Sequence, residues 1–343
     1  MLDRQTETDH FNLSWQQQLA EAFNSIEDLC RYLHLSPDDL PVSAAADRNF
    51  PLRVPLSFAA SMEKGNPHDP LLRQVLPVND ELLAYPGFSN DPVGDLRAAT
   101  ESSVLHKYAG RVLFINTGSC AINCRYCFRR NFPYAELQLS KQKEEAAVRY
   151  IEQDPGISEV ILSGGDPLVL NDARLARLIQ QLGRVKHLKR IRIHSRLPVV
   201  LPARITDELI NTLTQCPARI ILVMHCNHAN EISERVIAAC SALRNSGITL
   251  FNQSVLLKNV NDTAEQLCEL SERLFSHGII PYYLHLLDKA NGTGHFEVTE
   301  QDALALMRQV QAALPGYLVP KLVKEVAGMA SKQYVLNGAG AAR

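Results

Sequence analysis

Apolar positions in the first hundred residues recur at helical spacing in one long stretch, and turn-forming residues dominate the later part of this segment. Between Ser14 and Leu33 the apolar residues that share one helix face are Leu19, Phe23, Ile26, Leu29 and Leu33. Ser14 is of a residue type that caps helix N-termini. Residues 65–95 contain GNPHDP, YPGF and NDPVGD, which are turn sequences. We therefore predict a helical, loop-rich N-terminal segment that wraps the rest of the chain.

From Arg111 onward, short apolar runs alternate with amphipathic stretches. The strand-like runs are Val112–Asn116, Glu159–Leu162, Arg190–His194, Arg219–Met224, Thr249–Ser254 and Tyr282–Leu287. The helix-like stretches are Leu137–Gln153, Asp172–Arg184, Thr206–Thr214, Glu231–Ser246 and Thr263–His277. Units of this size predict an α/β fold with a parallel sheet and helices outside it. A doubly wound sheet and an open partial barrel both fit, and in either fold the active site lies beyond the C-terminal ends of the strands.

Polar side chains concentrate where these predicted strands end. In chain order they are Cys120, Cys124 and Cys127, then Ser163 to Pro167, His194 to Arg196, His225, Asn227 and His228, Asn252 and Gln253, and finally His285 and Asp288. Because the C-terminal ends of parallel strands lie at one edge of a sheet, we expect these residues to surround one site.

The composition narrows the class of protein. The chain has 343 residues, 46% of them hydrophobic and 21% charged, with 35 Lys and Arg against 37 Asp and Glu. These values are typical of a globular protein without the basic surface of a nucleic-acid binder. No apolar run reaches the length of a membrane span, and the N-terminal sequence MLDRQTETDH lacks the regions of a signal peptide. We expect a cytoplasmic protein, in which its eight cysteines are buried thiols, ligands or catalysts rather than disulfides.

Three of these cysteines form the motif Cys120-x-x-x-Cys124-x-x-Cys127. Three thiolates can hold three irons of a four-iron, four-sulfur cluster and leave the fourth iron open to a small molecule. A structural zinc site requires four ligands, so a zinc-stabilised binding protein is a poorer interpretation. Chance clustering of buried cysteines is the third alternative.

Two strand-end motifs resemble those of the radical S-adenosylmethionine (SAM) enzymes. The loop CAINCRYCFRR, from Cys120 to Arg130, is similar to their cluster-binding loop and also follows the first strand. The sequence SGGDP, from Ser163 to Pro167, resembles their second-strand glycine motif, which meets the methionyl amino group. A Gly-Gly pair lets the backbone approach a ligand closely. The resemblance implies a partial (βα)6 barrel similar to a TIM barrel.

Further stretches narrow the resemblance to the lysine 2,3-aminomutases, between about residues 50 and 335. They are Asn66-Pro67, Asp69-Pro70, Arg73 to Val75, His106 to Arg111, Ser163 to Asp166, Ser195-Arg196, Pro198-Val199, His225 to Glu231, Asn252 to Leu257, Pro281 to Tyr283, and Asp288. Val319 to Leu322 is similar to the bacterial members that make (R)-β-lysine for modification of elongation factor P. The resemblance implies a helical wrap over residues 1–100, a barrel over residues 101–298 and a closing segment over residues 299–343.

The resemblance also implies cofactors and site residues. A [4Fe-4S] cluster, SAM and pyridoxal phosphate are expected, with Lys332 as the lysine that forms a Schiff base with pyridoxal phosphate. By motif position, Arg129 binds the substrate carboxylate, and Asp288 and Glu325 bind its ε-ammonium group. The positions near pyridoxal phosphate are Lys107, Tyr108 and Arg111. The positions near SAM are Ser163, Gly164, Gly165, Asp166, His225 and Gln253. The free-standing enzymes have aspartate where this chain has Glu325, and tyrosine where it has His285.

The activity that this resemblance implies is isomerisation of L-lysine to (R)-β-lysine by radical amino migration. Its expected partners are a one-electron reductant of the flavodoxin or ferredoxin type, elongation factor P and the lysyl ligase of that factor. Neither nucleic acid nor a membrane is expected as a partner. A free-standing lysine 2,3-aminomutase of catabolism or osmolyte synthesis is an alternative, although such enzymes carry longer termini. An aminomutase of another cationic amino acid is a further alternative.

Overall fold

In the residues that the structure describes, the fold is built on a nine-stranded sheet whose strands lie side by side in chain order. A computed structural model describes residues 4–98, 104–133 and 140–336. The strands are β1 (Val104–Tyr108), β2 (Arg111–Thr117), β3 (Glu159–Gly164), β4 (Arg190–Ser195), β5 (Arg219–His225), β6 (Thr249–Val255), β7 (Ile280–His285), β8 (Lys321–Lys324) and β9 (Gln333–Tyr334). Pairing is parallel from β2 to β8 and antiparallel at both edges.

This strand order decides between the two folds that the sequence left open. A doubly wound sheet reverses its strand order at a switch point, whereas each strand here pairs with its neighbours in sequence and the sheet does not close. Right-handed crossovers between such strands place every connecting helix on the same face of the sheet. The predicted open partial barrel is therefore confirmed.

All six predicted strands are present, as β2 to β7. Strand β7 begins and ends two residues earlier than predicted, at Ile280 and His285. Strands β1, β8 and β9 were not predicted. They are short, and each depends on pairing with a strand already in the sheet. Gly110, with φ of +75°, makes the tight turn that returns the chain from β1 to β2.

Helices cover the outside of the sheet and build the N-terminal segment. The α-helices are Arg4–Phe11, Trp15–Ala20, Ile26–Tyr32, Ala44–Asn49, Leu56–Ala59, Pro70–Arg73, Asp95–Ala98, Lys141–Gln153, Asp172–Gly183, Leu197–Val200, Asp207–Thr214, Glu234–Asn245, Ala264–Ser276 and Glu300–Ala313. Of the predicted helix Leu137–Gln153, residues 137–139 lie outside the described residues. The helix predicted from Glu231 begins three residues later, at Glu234, because Glu231 belongs to a short 3₁₀ turn.

The single helix predicted from Ser14 to Leu33 is wrong. Ser14 caps a helix as predicted, but that helix ends at Ala20, because the backbone of Phe23 pairs with Val54 in both directions. A separate helix, Ile26–Tyr32, follows, and the Ser25 side chain caps it by accepting from the backbone N–H of Asp28. A contact across 31 positions therefore overrides the local helical pattern.

The N-terminal segment and the barrel share one hydrophobic core. Apolar side chains such as Leu29, Phe58 and Leu71 are in the same buried cluster as Ile191 and Leu222 of the strands. The expected boundary between residues 100 and 101 lies outside the described residues. None of the helices in the described part of the chain has the length and apolarity needed to cross a lipid bilayer.

Candidate active site

A cavity of about 740 Å³ lies inside the barrel and at the C-terminal ends of its strands. Every residue to which the resemblance gave a role at a cofactor or the substrate lines it: Lys107, Tyr108, Arg111, Cys120, Cys124, Cys127, Arg129, Ser163, Gly164, Gly165, Asp166, His225, Gln253, Asp288, Glu325 and Lys332. Four of the other strand-end residues that were expected at this site do not line it: Pro167, Asn227, His228 and Asn252. The residues that line it come from most of the strands and from segments more than 200 positions apart. The fold therefore brings the residues with expected cofactor and substrate roles together at one site.

The cysteine loop is clamped by the N-terminal segment. Arg125, inside the loop, is fully buried, and its Nε and Nη2 atoms donate to the two carboxylate oxygens of Glu81. Arg130 donates to the same carboxylate at 2.6 Å. The backbone N–H of Arg125 also donates to the Gln74 carbonyl at 2.8 Å. Sequence reasoning missed Glu81, because its turn carries no signal that it faces the loop.

The three cysteines fit an iron–sulfur cluster better than a single metal ion. Among the described residues, no three Cys, His, Asp or Glu side chains are grouped so that they could hold one ion. A four-iron cluster has no such requirement, because each thiolate ligates a different iron. Burial raises the pKa of the Cys127 thiol to about 11, and burial also raises the pKa of Cys120. The thiolate forms of these two cysteines would therefore need the positive charge of bound iron to be stable at neutral pH.

A buried arginine lies against one of these sulfurs. Arg196 donates from Nη1 to the Cys124 sulfur at 2.7 Å, and from Nη2 to Gln74 and Glu231 at 2.7 and 3.1 Å. Asn227 donates to the same Gln74 oxygen at 2.9 Å. This network places a fixed positive charge beside the cysteine loop.

The glycine motif after β3 packs directly against that loop. Gly164 has φ of +115°, and a Cβ on Gly165 would collide with the backbone of Ser119. The Asp166 carboxylate accepts from the Ser195 hydroxyl and the Arg196 N–H, each at 2.7 Å. Burial raises the pKa of Asp166 to about 6, although these hydrogen bonds act in the opposite direction. The Asp166 side chain thus positions the end of β4, while the glycines leave backbone exposed at the cavity wall.

A continuous set of ion pairs crosses the gap between β1 and β8. The Lys332 ammonium donates to Glu325 at 2.8 Å, and the Tyr108 hydroxyl donates to the other Glu325 oxygen at 2.6 Å. Lys107 lies 3.7 Å from that oxygen. Burial acts to raise the pKa of Glu325, but the Lys332 charge and these hydrogen bonds outweigh it and hold the pKa below its ordinary value.

Asp95 continues this set of ion pairs and was missed by sequence reasoning. One of its oxygens lies 2.5 Å from the Lys107 ammonium, and the other accepts from Arg129 Nε at 2.8 Å. Arg129 also donates to the Ser163 hydroxyl at 3.3 Å. Burial acts to raise the pKa of Asp95, but the Arg129 and Lys107 charges outweigh it and lower the pKa. Asp95 therefore fixes the orientation of the Arg129 guanidinium.

Asp288 and the cavity histidines have strongly shifted pKa values. Burial raises the pKa of Asp288 to about 7, against the opposing charge of Lys332. Burial lowers the pKa of His225 to about 3 and holds those of His194 and His285 well below their ordinary value. The imidazoles are therefore neutral at pH 7. His225 pairs with Gln253 at 2.9 Å, and the three rings form an uncharged polar wall.

The first residues of adjacent strands form a charged layer deeper in the barrel. Arg111, Glu159 and Arg190 are register partners on β2, β3 and β4. Arg192 lies two residues further along β4, so its side chain points to the same face. All four line the cavity. The sequence placed Glu159, Arg190 and Arg192 in strands without giving them a role.

Comparisons with known proteins agree with this arrangement. Residues 115–271 match the model of the Radical SAM superfamily. A protein of Escherichia coli (strain K12) named L-lysine 2,3-aminomutase is 48% identical over 319 residues, which cover 93% of each chain. A Haemophilus influenzae protein of the same name is 46% identical over 93% of this chain and 94% of its own. The Clostridium subterminale L-lysine 2,3-aminomutase is 31% identical over 94% of this chain and 77% of its own.

Proposed function

The chain belongs to the lysine 2,3-aminomutase family of radical SAM enzymes, and from this premise we propose that it converts L-lysine to (R)-β-lysine for attachment to elongation factor P. Family membership rests on the relatives that are 46–48% identical over nearly the whole chain. The chain is therefore an isomerase. The observation that carries the substrate assignment is that two carboxylates and an arginine line the cavity that also holds the cysteine loop and Lys332.

The enzyme uses a [4Fe-4S] cluster, SAM and pyridoxal phosphate. Together, when bound, they supply a carbon-centred radical and a π-system that delocalises the unpaired electron during amino migration. Cys120, Cys124 and Cys127 would hold the cluster. Lys332 would hold pyridoxal phosphate, and it fits this role because its amine reaches into the cavity, where Glu325 keeps it in place.

The protein's own groups bind the two ends of lysine. We assign the substrate carboxylate to Arg129, because it lies at the family's carboxylate-binding position, it lines the cavity, and a guanidinium can bind a carboxylate with two N–H groups. We assign the ε-ammonium to Asp288 and Glu325, the two carboxylates near Lys332. A cationic side chain then neutralises an acidic wall in a site shielded from water.

The buried site also protects the reaction. His225 of β5 and Gln253 of β6 pair with each other in the cavity that the cysteine loop also lines. We place SAM there, with the backbone of Ser163, Gly164 and Gly165. Neutral imidazoles suit this position, because they add no charge that would repel the SAM sulfonium. The cavity walls keep bulk water away from reactive species.

The link to elongation factor P rests on residue-level resemblance. Val319 to Leu322 is similar to the members that serve that factor, and the chain has Glu325 and His285 where free-standing enzymes have aspartate and tyrosine. We accordingly propose a cytoplasmic enzyme that receives electrons from a flavodoxin or ferredoxin. We also propose that residues 1–100 form the helical wrap, residues 101–298 the barrel and residues 299–343 the closing segment.

An anaerobic assay tests the activity. The protein is reconstituted with iron and sulfide, supplied with pyridoxal phosphate, SAM, dithionite and L-lysine, and β-lysine is sought by mass spectrometry. β-Lysine supports the proposal, and Lys332→Ala is the matched control that should abolish it. If 5′-deoxyadenosine is released without dependence on lysine and no β-lysine forms, lysine is not the substrate. If a protein with a complete cluster yields neither product, the assignment fails.

A coupled assay tests the biological role. Elongation factor P and its lysyl ligase are added to the reaction, and the amino acid attached to the factor is identified after hydrolysis. Attachment of (R)-β-lysine at a rate above that with α-lysine supports the role. Equal attachment of both, with free β-lysine accumulating, would instead favour the free-standing enzyme of catabolism or osmolyte synthesis.

A further inference from the structure

The Arg196 side chain joins the end of β4 to the cysteine loop. Arg196 follows β4 directly and is 5% exposed. Its Nη1 donates to Cys124 Sγ at 2.7 Å. A cysteine sulfur that ligates iron keeps lone pairs that accept such a hydrogen bond, and hydrogen bonds to the sulfurs help to set the reduction potential of an iron–sulfur cluster. The contact therefore bears on how readily the cluster in this loop accepts an electron.

Groups from three segments of the chain hold this guanidinium in place. Gln74 of the N-terminal segment and Glu231, which follows β5, both accept from its Nη2, at 2.7 and 3.1 Å. The guanidinium carbon also lies over the rings of Phe58 and Tyr126, 5.0 and 5.5 Å from their centroids. Because two acceptors and two rings fix the guanidinium, the fold determines the direction in which Nη1 points.

The charge of Arg196 is balanced by Glu231 through a different nitrogen from the one that meets the sulfur. Glu231 is buried, and its carboxylate also accepts from the Gln74 amide and from the backbone N–H groups of Asn227 and His228. Nη1 is the group in direct contact with Cys124. The positive member of this ion pair is therefore the one that lies against the sulfur, and Coulomb interactions weaken with distance.

We propose that Arg196 raises the reduction potential of the [4Fe-4S] cluster through its hydrogen bond to Cys124. In this step one electron passes from the flavodoxin or ferredoxin type of reductant to the cluster, and no bond forms or breaks. A positively charged donor stabilises the more negative, reduced cluster more than the oxidised one. Arg196 is a positioning residue, because it acts through Cys124. This inference rests on the cluster of the proposed function and is independent of its substrate.

The other two sulfurs of the motif receive hydrogen bonds from the backbone. Cys120 accepts from the N–H of Asp166, and Cys127 accepts from the N–H of Arg129. These donors are neutral, and a hydrogen bond from a charged donor is roughly twice as strong. A side-chain substitution leaves backbone donors in place, whereas a substitution of Arg196 removes a charged donor from the loop. Its contribution to the potential can therefore be measured separately.

The test is a redox titration of the anaerobically reconstituted full chain without SAM, followed by the EPR signal of the reduced cluster. Variants are compared at equal iron content per chain. For Arg196→Gln we expect the equilibrium constant of one-electron reduction to fall about tenfold, the lower end of the effects of groups that support a metal ligand. For one electron, this corresponds to a midpoint potential about 59 mV lower. Arg196→Lys keeps the charge but not the fork, so its potential should lie between those of wild type and Arg196→Gln.

Glu231→Gln tests the sign of the effect. It removes the negative partner of Arg196 and leaves the positive charge beside Cys124, so the midpoint potential should rise. A general loosening of the loop that admits water would instead move the potentials of Arg196→Gln and Glu231→Gln in the same direction. If Arg196→Gln does not assemble a cluster, Arg196→Lys and Glu231→Gln carry the test.

Arg204→Gln is the matched control for the loss of a buried guanidinium. Arg204 has a fully buried side chain. In the part of the chain that the structure describes, it pairs with Asp172 and donates to the carbonyls of Leu168 and Leu170, and none of these residues belongs to the cysteine loop. We expect Arg204→Gln to destabilise the protein without changing the midpoint potential.

Two outcomes would overturn the inference while leaving the proposed function intact. One is that wild type and Arg196→Gln have equal midpoint potentials, and a weaker binding of SAM by that variant in equilibrium dialysis would then make Arg196 a SAM ligand. The other is that Arg196→Gln and Glu231→Gln shift the potential in the same direction. The proposed function is judged separately by β-lysine formation in the wild type, and its failure would leave a measured shift of the potential in place.

Discussion

Replacing Glu81 with glutamine removes the carboxylate that two buried guanidiniums share. Glu81 has 1% of its side chain exposed, and its partners Arg125 and Arg130 have 0% and 4%. Glutamine has nearly the same shape but no charge, and its amide NH2 group presents donors to guanidinium donors at a position where a carboxylate oxygen of Glu81 accepts. The variant therefore tests the electrostatic clamp on the cysteine loop with little change in packing volume.

The expected loss of stability depends on the partners that remain. Breaking one member of a buried ion pair costs about 3–5 kcal/mol, because the other charge stays buried and uncompensated. Here Arg125 keeps the Phe50 carbonyl and Arg130 keeps the Gly292 carbonyl at 2.8 Å. Since these neutral acceptors remain, we expect the lower end of that range, about 3 kcal/mol.

The assay is urea unfolding of the anaerobically reconstituted protein, with iron content measured on the same samples. Glu297→Gln is the control, because Glu297 pairs with Lys289 at 2.7 Å on the surface, where an ion pair contributes at most about 1 kcal/mol. We expect Glu81→Gln to lower both the free energy of unfolding and the iron bound per chain. If the Glu81→Gln protein is as stable as Glu297→Gln and binds as much iron, Glu81 does not hold the cysteine loop in place.

The same variant predicts a pH dependence with a defined sign. Burial acts to raise the pKa of Glu81, but Arg125 and Arg130 outweigh it, so the folded pKa lies below the ordinary glutamate value of 4.5. A lowered carboxyl pKa contributes stability above the unfolded pKa and loses it as the pH falls through the folded pKa. The difference in unfolding free energy between wild type and Glu81→Gln should be full at pH 7 and shrink below about pH 4.5.

Three further changes test the site. Asp288→Asn should raise the KM for lysine far more than it slows SAM cleavage by dithionite, and equal losses of both activities would contradict this. Since burial raises the pKa of Asp288 to about 7, the KM of the wild type for lysine should fall as the pH rises through that value, while the KM of the variant should not change with pH. Lys332→Ala should lose pyridoxal phosphate on gel filtration yet keep its iron, and retention of pyridoxal phosphate would argue against the assignment of that lysine. Gly165→Ala places a Cβ within 2.8 Å of the Ser119 backbone, so it should lower the free energy of unfolding by about 1–3 kcal/mol and reduce the iron bound per chain. Gly316→Ala is its control: a Cβ there would have no atom within 4 Å, so the melting temperature and the bound iron should not change.

Local patterns in the sequence determined the central part of the fold. The alternation of apolar runs and amphipathic stretches predicted β2 to β7 because strand and helix periods are properties of neighbouring residues. The spacing Cys120-x-x-x-Cys124-x-x-Cys127 predicted the cluster ligands for the same reason, since one short loop carries all three. Strand-end polarity predicted that the candidate residues would meet, because parallel strands share one C-terminal edge.

Contacts between distant residues were decided only by the tertiary structure. No local signal shows that Glu81 meets Arg125, or that Asp95 holds Arg129 and Lys107, because such pairs depend on how the N-terminal segment wraps the barrel. The break in the helix predicted from Ser14 to Leu33 has the same cause, a backbone pairing formed only when the chain has folded. The charged layer of Arg111, Glu159, Arg190 and Arg192 depends on strand register, since a shift of one residue in β4 would turn Arg190 and Arg192 to the opposite face of the sheet. The sequence therefore determined which elements form and which chemistry they carry, and the packing of those elements decided which charges face one another in the site.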